Sequence, residues 1–174
     1  MDLSETLDNF NKALYQLLRD DKHLLLKNLS ERSIAHRLAV YLTDLIQELD
    51  VDCEYNGDVE SSNYRKSLQI DREEIIKLSK KKIDEFDTYS VFPDIIIHKR
   101  AFNTENCLVI EIKKKDSNTQ QKKYDLLKLK AFTNQYNYKL GIYLELNTGE
   151  NFGVNEILYF QQGEQIDKQR LHEF

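Results

Sequence analysis

Residues 92–113 read FPDIIIHKRAFNTENCLVIEIK. Two apolar runs flank a polar stretch from Ala101 to Asn106, the pattern of two strands joined by a hairpin connection, and strands are expected over Phe92 to His98 and Cys107 to Lys113. Pro93 suits the first residue of a strand because it has no amide to offer a ladder. Side chains alternate faces along a strand, so Val109, Glu111 and Lys113 share one face while Leu108, Ile110 and Ile112 share the other. Glu111 is therefore a carboxylate in a strand that otherwise reads as buried on both sides. A carboxylate in that position needs a cation or several hydrogen-bond donors to stay ionised. Lys113 is one such cation, and a metal ion shared with Asp94 of the preceding strand is a stronger one. Mg2+ (or Mn2+) fits, since hard cations take oxygen ligands and Mg2+ is usually held by one or two carboxylates with waters completing its shell.

The surrounding chain supplies a scaffold for these residues. An amphipathic helix is expected from Leu3 to Lys27, with Leu7, Phe10, Leu14 and Leu17 at helical spacing. Ser30 is a good N-cap for a second helix from Glu31 to Leu49, whose apolar stripe is Ala35, Leu38, Leu42, Leu45 and Leu49. One turn back from Ala35, Glu31 lies on that same stripe, at a helix start whose dipole also favours an acid. Val51 to Asn56 reads as a short strand. Residues 58–90 read as an insertion, helical in part, that carries Lys80, Lys81 and Lys82. A helix is expected from Thr119 to Asn137, with Leu126, Leu129, Thr133 and Tyr136 on one apolar face and Leu127 and Ala131 beside it. Strands over Leu140 to Leu146 and Ile157 to Gln161 follow, then a polar tail. The strand–helix–strand passage from Leu108 to Leu146 implies a right-handed crossover between parallel strands. The chain thus reads as one α/β domain, residues 1–174, on a single central sheet.

Composition narrows the functional classes. Of the 174 residues, 40% are hydrophobic and 32% charged, which is enough for an apolar core without metal or disulfide staples. The formal net charge of −5 excludes a basic nucleic-acid coat, so any nucleic-acid contact must come from a local patch. Cys53 and Cys107 sit in strands without CxxC spacing, and the four histidines show no zinc-ligand spacing with them. No run is apolar and long enough to span a membrane, and the acidic first residues lack the pattern of a secretory signal, so the expected location is the cytoplasm.

Two carboxylates on one ion beside a lysine suit phosphodiester hydrolysis. The ion acidifies a water and offsets charge that develops on the phosphoryl group, and the lysine orients that water or stabilises the charge. The run ERSIAHRLAVYL with Glu31, FPDIIIHKR with Asp94, CLVIEIKKK with Glu111 and Lys113, YDLLKLKAFT and YKLGIYLEL together resemble the restriction-endonuclease-like PD-(D/E)xK superfamily, over about Ser30 to Leu146. The resemblance is to its small stand-alone bacterial members. It implies an αβββαβ core with a mixed central sheet flanked by helices, to which the first helix is an addition. It implies metal binding by Asp94 and Glu111, with Glu31 as accessory carboxylate and Lys113 as catalytic lysine. The expected activity is a Mg2+-dependent nuclease, in the simplest case a DNA endonuclease. The alternative is an inactive nuclease-fold protein that binds nucleic acid or a partner protein. Asp125 and Lys128, one turn apart on the crossover helix, are candidates for substrate binding, although a surface ion pair is the ordinary explanation of such spacing. Lys114, Lys115, Lys122, Lys123 and Lys130 with Lys128 form either a phosphate-binding patch or a solvated helix face. Cutting both strands of a duplex suits a two-fold dimer, for which the stripe of the first helix is a candidate interface.

Overall fold

The strand that carries Glu111 lies in the middle of the sheet. In the computed structural model, which describes residues 1–58, 66–69, 88–115 and 118–167, β5 (Leu108–Lys114) pairs antiparallel with β4 (Ile95–His98) on one side and parallel with β6 (Leu140–Asn147) on the other. Outside β4 lies β1 (Asp50–Cys53). Outside β6 lie β7 (Gly153–Gln161) and β8 (Glu164–Ile166), so the mixed six-stranded sheet has the order β1-β4-β5-β6-β7-β8. Two short strands, β2 (Ser67–Gln69) and β3 (Thr88–Ser90), form a separate antiparallel pair. The remainder of the expected insertion, including Lys80 to Lys82, lies outside the described residues, as does His172.

Alternation along the strands builds two cores. Ile95, Ile97, Leu108, Ile110, Ile112, Ile142 and Leu144 face α1 (Leu3–Asp20), α2 (Lys22–Leu26) and α3 (Glu31–Leu45). The opposite parity, Ile96, Val109, Tyr143 and Phe160, faces α4 (Thr119–Gln135) through Leu129, Ala131 and Phe132. Each fully buried Leu, Ile or Phe contributes about 1.5–3 kcal/mol of apolar transfer. The stripe of α1 is spent inside this core: Leu7, Phe10, Leu14 and Leu17 are buried against α3 and the sheet, so it offers no free face for a dimer.

Several element ends differ from the sequence expectation for local reasons. The first helix stops at Asp20 because the next residue turns away: the Asp21 carboxylate accepts from Arg37 Nε (2.7 Å) and from the Tyr41 hydroxyl, which ties it to α3. α3 ends at Leu45 rather than Leu49 because Ile46 is already extended. β1 ends before Glu54, whose φ is 50°. The polar tail contains β8, reached through Gln162 and Gly163, both at positive φ as in the type I′ turn that matches strand twist. β5, α4 and β6 form the expected parallel crossover unit.

Gly141 on β6 sets how closely α4 approaches the sheet. A Cβ there would lie 3.1 Å from Thr133 Cγ2 and 3.2 Å from Phe160 Cβ. Gly141→Val should therefore destabilise the protein by about 1–3 kcal/mol through overpacking, measured as a lower urea midpoint.

Candidate active site

β5 runs further than β4, and this leaves part of its edge without a strand partner. The Lys115 amide donates to Leu146 O of β6, so the amides of even-numbered residues at this end point the other way, toward β4. β4 begins only at Ile95, opposite Ile110. The amides of Ile112 and Lys114 find side-chain acceptors instead: Ile112 N donates to Asp94 Oδ2 (2.7 Å) and Lys114 N to Glu31 Oε1 (3.0 Å). Ser30 caps α3 by accepting from Ser33 N, which puts Glu31 in the first turn and lets it reach round the strand end from the α3 layer.

Continuing the β4–β5 register by one residue sets Asp94 opposite Glu111, on the face covered by α4. Lys113 is on that face, two residues on. Its Nζ lies 3.4 Å from Glu31 Oε2 and 3.3 Å from Asp125 Oδ2. Glu111 is 1% exposed. Its Oε2 accepts from Lys128 Nζ at 2.7 Å, and among the described residues its Oε1 has no hydrogen-bond partner. Lys128 Nζ also lies 2.8 Å from Asp125 Oδ1.

Asp125 and Lys128 are thus not a surface ion pair. They are 3% and 6% exposed, because the inner stripe of α4 carries Asp125, Lys128 and Phe132 as well as the expected Leu129 and Thr133, with Leu126 and Tyr136 packed at its edge. The other lysines of this region have separate partners or face solvent. Lys114 is drawn back to Asn28 Oδ1 (2.9 Å) and Leu29 O, and Lys122 pairs with Glu145 and Glu156, while Lys115 and Lys123 are exposed. Glu145, opposite Lys113 in the parallel register, extends the polar end of this face: it is buried and accepts from the Tyr143 hydroxyl (3.0 Å) and Asn155. A cleft lined by Arg32, Ala35, Cys53 and Glu54 opens onto Asp94.

Acids outnumber bases here. Four carboxylates, those of Glu31, Asp94, Glu111 and Asp125, face two ammonium groups, those of Lys113 and Lys128. Burial pushes the Glu111 carboxyl well above the ordinary glutamate range; Lys128 opposes this, and Asp125 and Asp94 add to it. Burial likewise raises Asp94, against the Ile112 amide and the charge of Lys113. Burial alone would lower both lysines, but the carboxylates outweigh it and hold both above the usual lysine value, with Glu111 dominant for Lys128 and Asp125 for Lys113. Among the described residues, no three Asp, Glu, His or Cys side chains converge as a ready-made metal cage. The residues suited to hold a cation are the facing pair Asp94 and Glu111, the latter through its unpartnered Oε1.

No helix of the described residues is long and apolar enough to cross a membrane. Comparison of the chain with family models, curated proteins and solved structures gave no match.

Folded Glu111 keeps its proton to a higher pH than it does in the unfolded chain. Its contribution to stability therefore falls as the pH rises from the ordinary value of 4.5 through its raised folded value. Glu111→Gln cannot ionise and removes this term. In EDTA, the parent protein should lose more Tm than this variant between about pH 5 and about pH 8. Equal slopes in paired thermal melts would contradict the assignment.

Proposed function

We propose that this protein is a divalent-cation-dependent nuclease built on a restriction-endonuclease-like PD-(D/E)xK core, hydrolysing phosphodiester bonds with Asp94, Glu111 and Lys113 at its centre. The observation that carries this reading is the strand register that sets Asp94 opposite Glu111, with Lys113 two residues on along the same face. The order α3, β1, β4, β5, α4, β6 supports the αβββαβ core, with the segment containing β2 and β3 inserted after β1. The Glu111 Oε1, which no described residue hydrogen-bonds, suits Mg2+ or Mn2+ held by Asp94 and Glu111 with waters. Bound there, such an ion supplies Lewis acidity and lowers the pKa of a water.

The chain's own residues do the rest. Lys113 is a half-buried ammonium held between Glu31 and Asp125, which fixes a proton donor and a positive charge for a phosphoryl oxygen in a poorly hydrated place. Glu31 orients Lys113 and also holds the Lys114 amide, so it sets the shape of the strand end. The cleft at Asp94 gives a polynucleotide backbone its approach, with Arg32 on its rim. DNA is the simplest substrate, acted on in the cytoplasm.

A second reading is a nuclease-fold protein that binds without cutting. Lys128 seated on Glu111 favours it, because the carboxylate then already has a cation. The two readings separate in one assay. The purified protein is incubated with duplex DNA, single-stranded DNA and RNA in Mg2+ or Mn2+. Cleavage is expected in at least one case and is abolished by EDTA. Lys113→Ala should lower the rate by about 10²–10⁴-fold yet still bind the ion calorimetrically, since an ammonium is no ligand. Asp94→Asn, which keeps an acceptor for the Ile112 amide, should lose the ion. Retained binding of nucleic acid without cleavage or cation uptake would select the second reading.

A further inference from the structure

The nuclease reading treats Glu111 as a ligand for a divalent ion, yet in the folded chain that carboxylate already holds a cation. Lys128 Nζ sits 2.7 Å from Glu111 Oε2, and both side chains are buried. The contact is built into the fold. Lys128 shares its helix stripe with Leu129 and Phe132, which are fully buried in the α4-side core, so packing sets how far the ammonium stands from β5. Asp125, one turn earlier, lies 2.8 Å from the same ammonium. The Tyr124 ring lies 5.4 Å beneath it.

We propose that Lys128 is an internal counter-cation that competes with the divalent ion for Glu111, so that loading the site is an exchange of one cation for another. The inference rests on the nuclease reading for the identity of the incoming ion. Glu111 has two oxygens, and among the described residues only Oε2 is engaged. An ion approaching Oε1 meets the positive charge of Lys128 on the far side of the same carboxylate. Asp125 is what makes the exchange feasible: it gives the ammonium a second acceptor already in contact, so Lys128 can be released from Glu111 without being stranded in a dry site. Lys128 is thus a positioning residue. It keeps Glu111 in place and charge-compensated before the ion arrives, and it sets a threshold concentration below which the site stays unloaded.

The test is calorimetric titration of MnCl2 and MgCl2 into the parent protein, Lys128→Met and a control, Lys12→Met, which removes one exposed charge from α1 far from the site. Lys128→Met is expected to bind Mn2+ about tenfold or more tightly than the parent, the low end of what close charge pairs are worth, while Lys12→Met matches the parent. Lys128→Met leaves Glu111 without its cation and is at risk of folding poorly. A second measurement therefore uses the parent alone: the 15N resonance of the buried Lys128 ammonium should move on saturation with Mg2+, and those of exposed lysines should not. Unchanged or weaker affinity in Lys128→Met, or an ammonium resonance that stays put while the parent takes up Mg2+, overturns the exchange and leaves the nuclease reading intact. If neither the parent nor Lys128→Met takes up either ion, the nuclease reading falls, and the exchange with it.

Discussion

The end of β5 projects beyond its neighbour β4, and the backbone amides left over there must be satisfied. A buried amide without an acceptor costs roughly 1–3 kcal/mol. Here two such amides, Ile112 N and Lys114 N, are answered by the carboxylates of Asp94 and Glu31. One acid comes from the residue just before β4 and the other from the first turn of α3, on the opposite layer. The need to finish the β5 edge is therefore what draws acids from two elements to one place. Glu111 and Lys113 lie between them on the same strand, so the cluster follows from the mismatch in strand length together with side-chain alternation.

Collecting acids in a buried position creates the next requirement, which α4 meets. The crossover connection lays this helix along the face that carries Glu111, and its inner stripe is apolar at Leu129 and Phe132 but charged at Asp125 and Lys128. The two lysines of the site are not equivalent. Lys113 is half-buried and bridges Glu31 and Asp125, whereas Lys128 is enclosed and bridges Glu111 and Asp125. Asp125 thus connects the two ammonium groups, and displacing either one alters the field at the other. A site with this wiring responds as a unit to any added charge, so effects of substituting single members should not add.

Much of this is legible in the sequence alone. The period of two placed Glu111 and Lys113 on one face, the hairpin placed Asp94 beside them, and the N-cap at Ser30 placed Glu31 at a helix start. The antiparallel and parallel pairings of β5 followed from the short polar connection on one side and the helical crossover on the other. What escaped was the role of α4. Its three leucines, Leu126, Leu127 and Leu129, draw an apolar stripe that passes beside Asp125 and Lys128, and charged residues are ordinarily placed outside by default. Phe132 was the available signal: 125, 128, 129 and 132 make one helical face, and once the Phe is required to be inside, the two charges are carried in with it. The strand overhang was not legible, because it depends on β4 starting at Ile95 and not at Phe92, a boundary set by tertiary pairing.

The same geometry explains why stability and chemistry are difficult to separate in this fold. Asp94 does two jobs with its two oxygens: Oδ2 finishes the β5 edge, and the group's negative charge contributes to the acid cluster. Removing the side chain strips an acceptor from the Ile112 amide, which destabilises, and also relieves repulsion with Glu111 and Asp125, which stabilises; the two terms have opposite sign. Glu31 is divided in the same way between the Lys114 amide and Lys113. Neutral isosteres keep the backbone contacts and change only the charge, so the amides of Ile112 and Lys114 act as fixed reference points. Against these points, the part of each acid that belongs to the fold and the part that belongs to the site can be told apart.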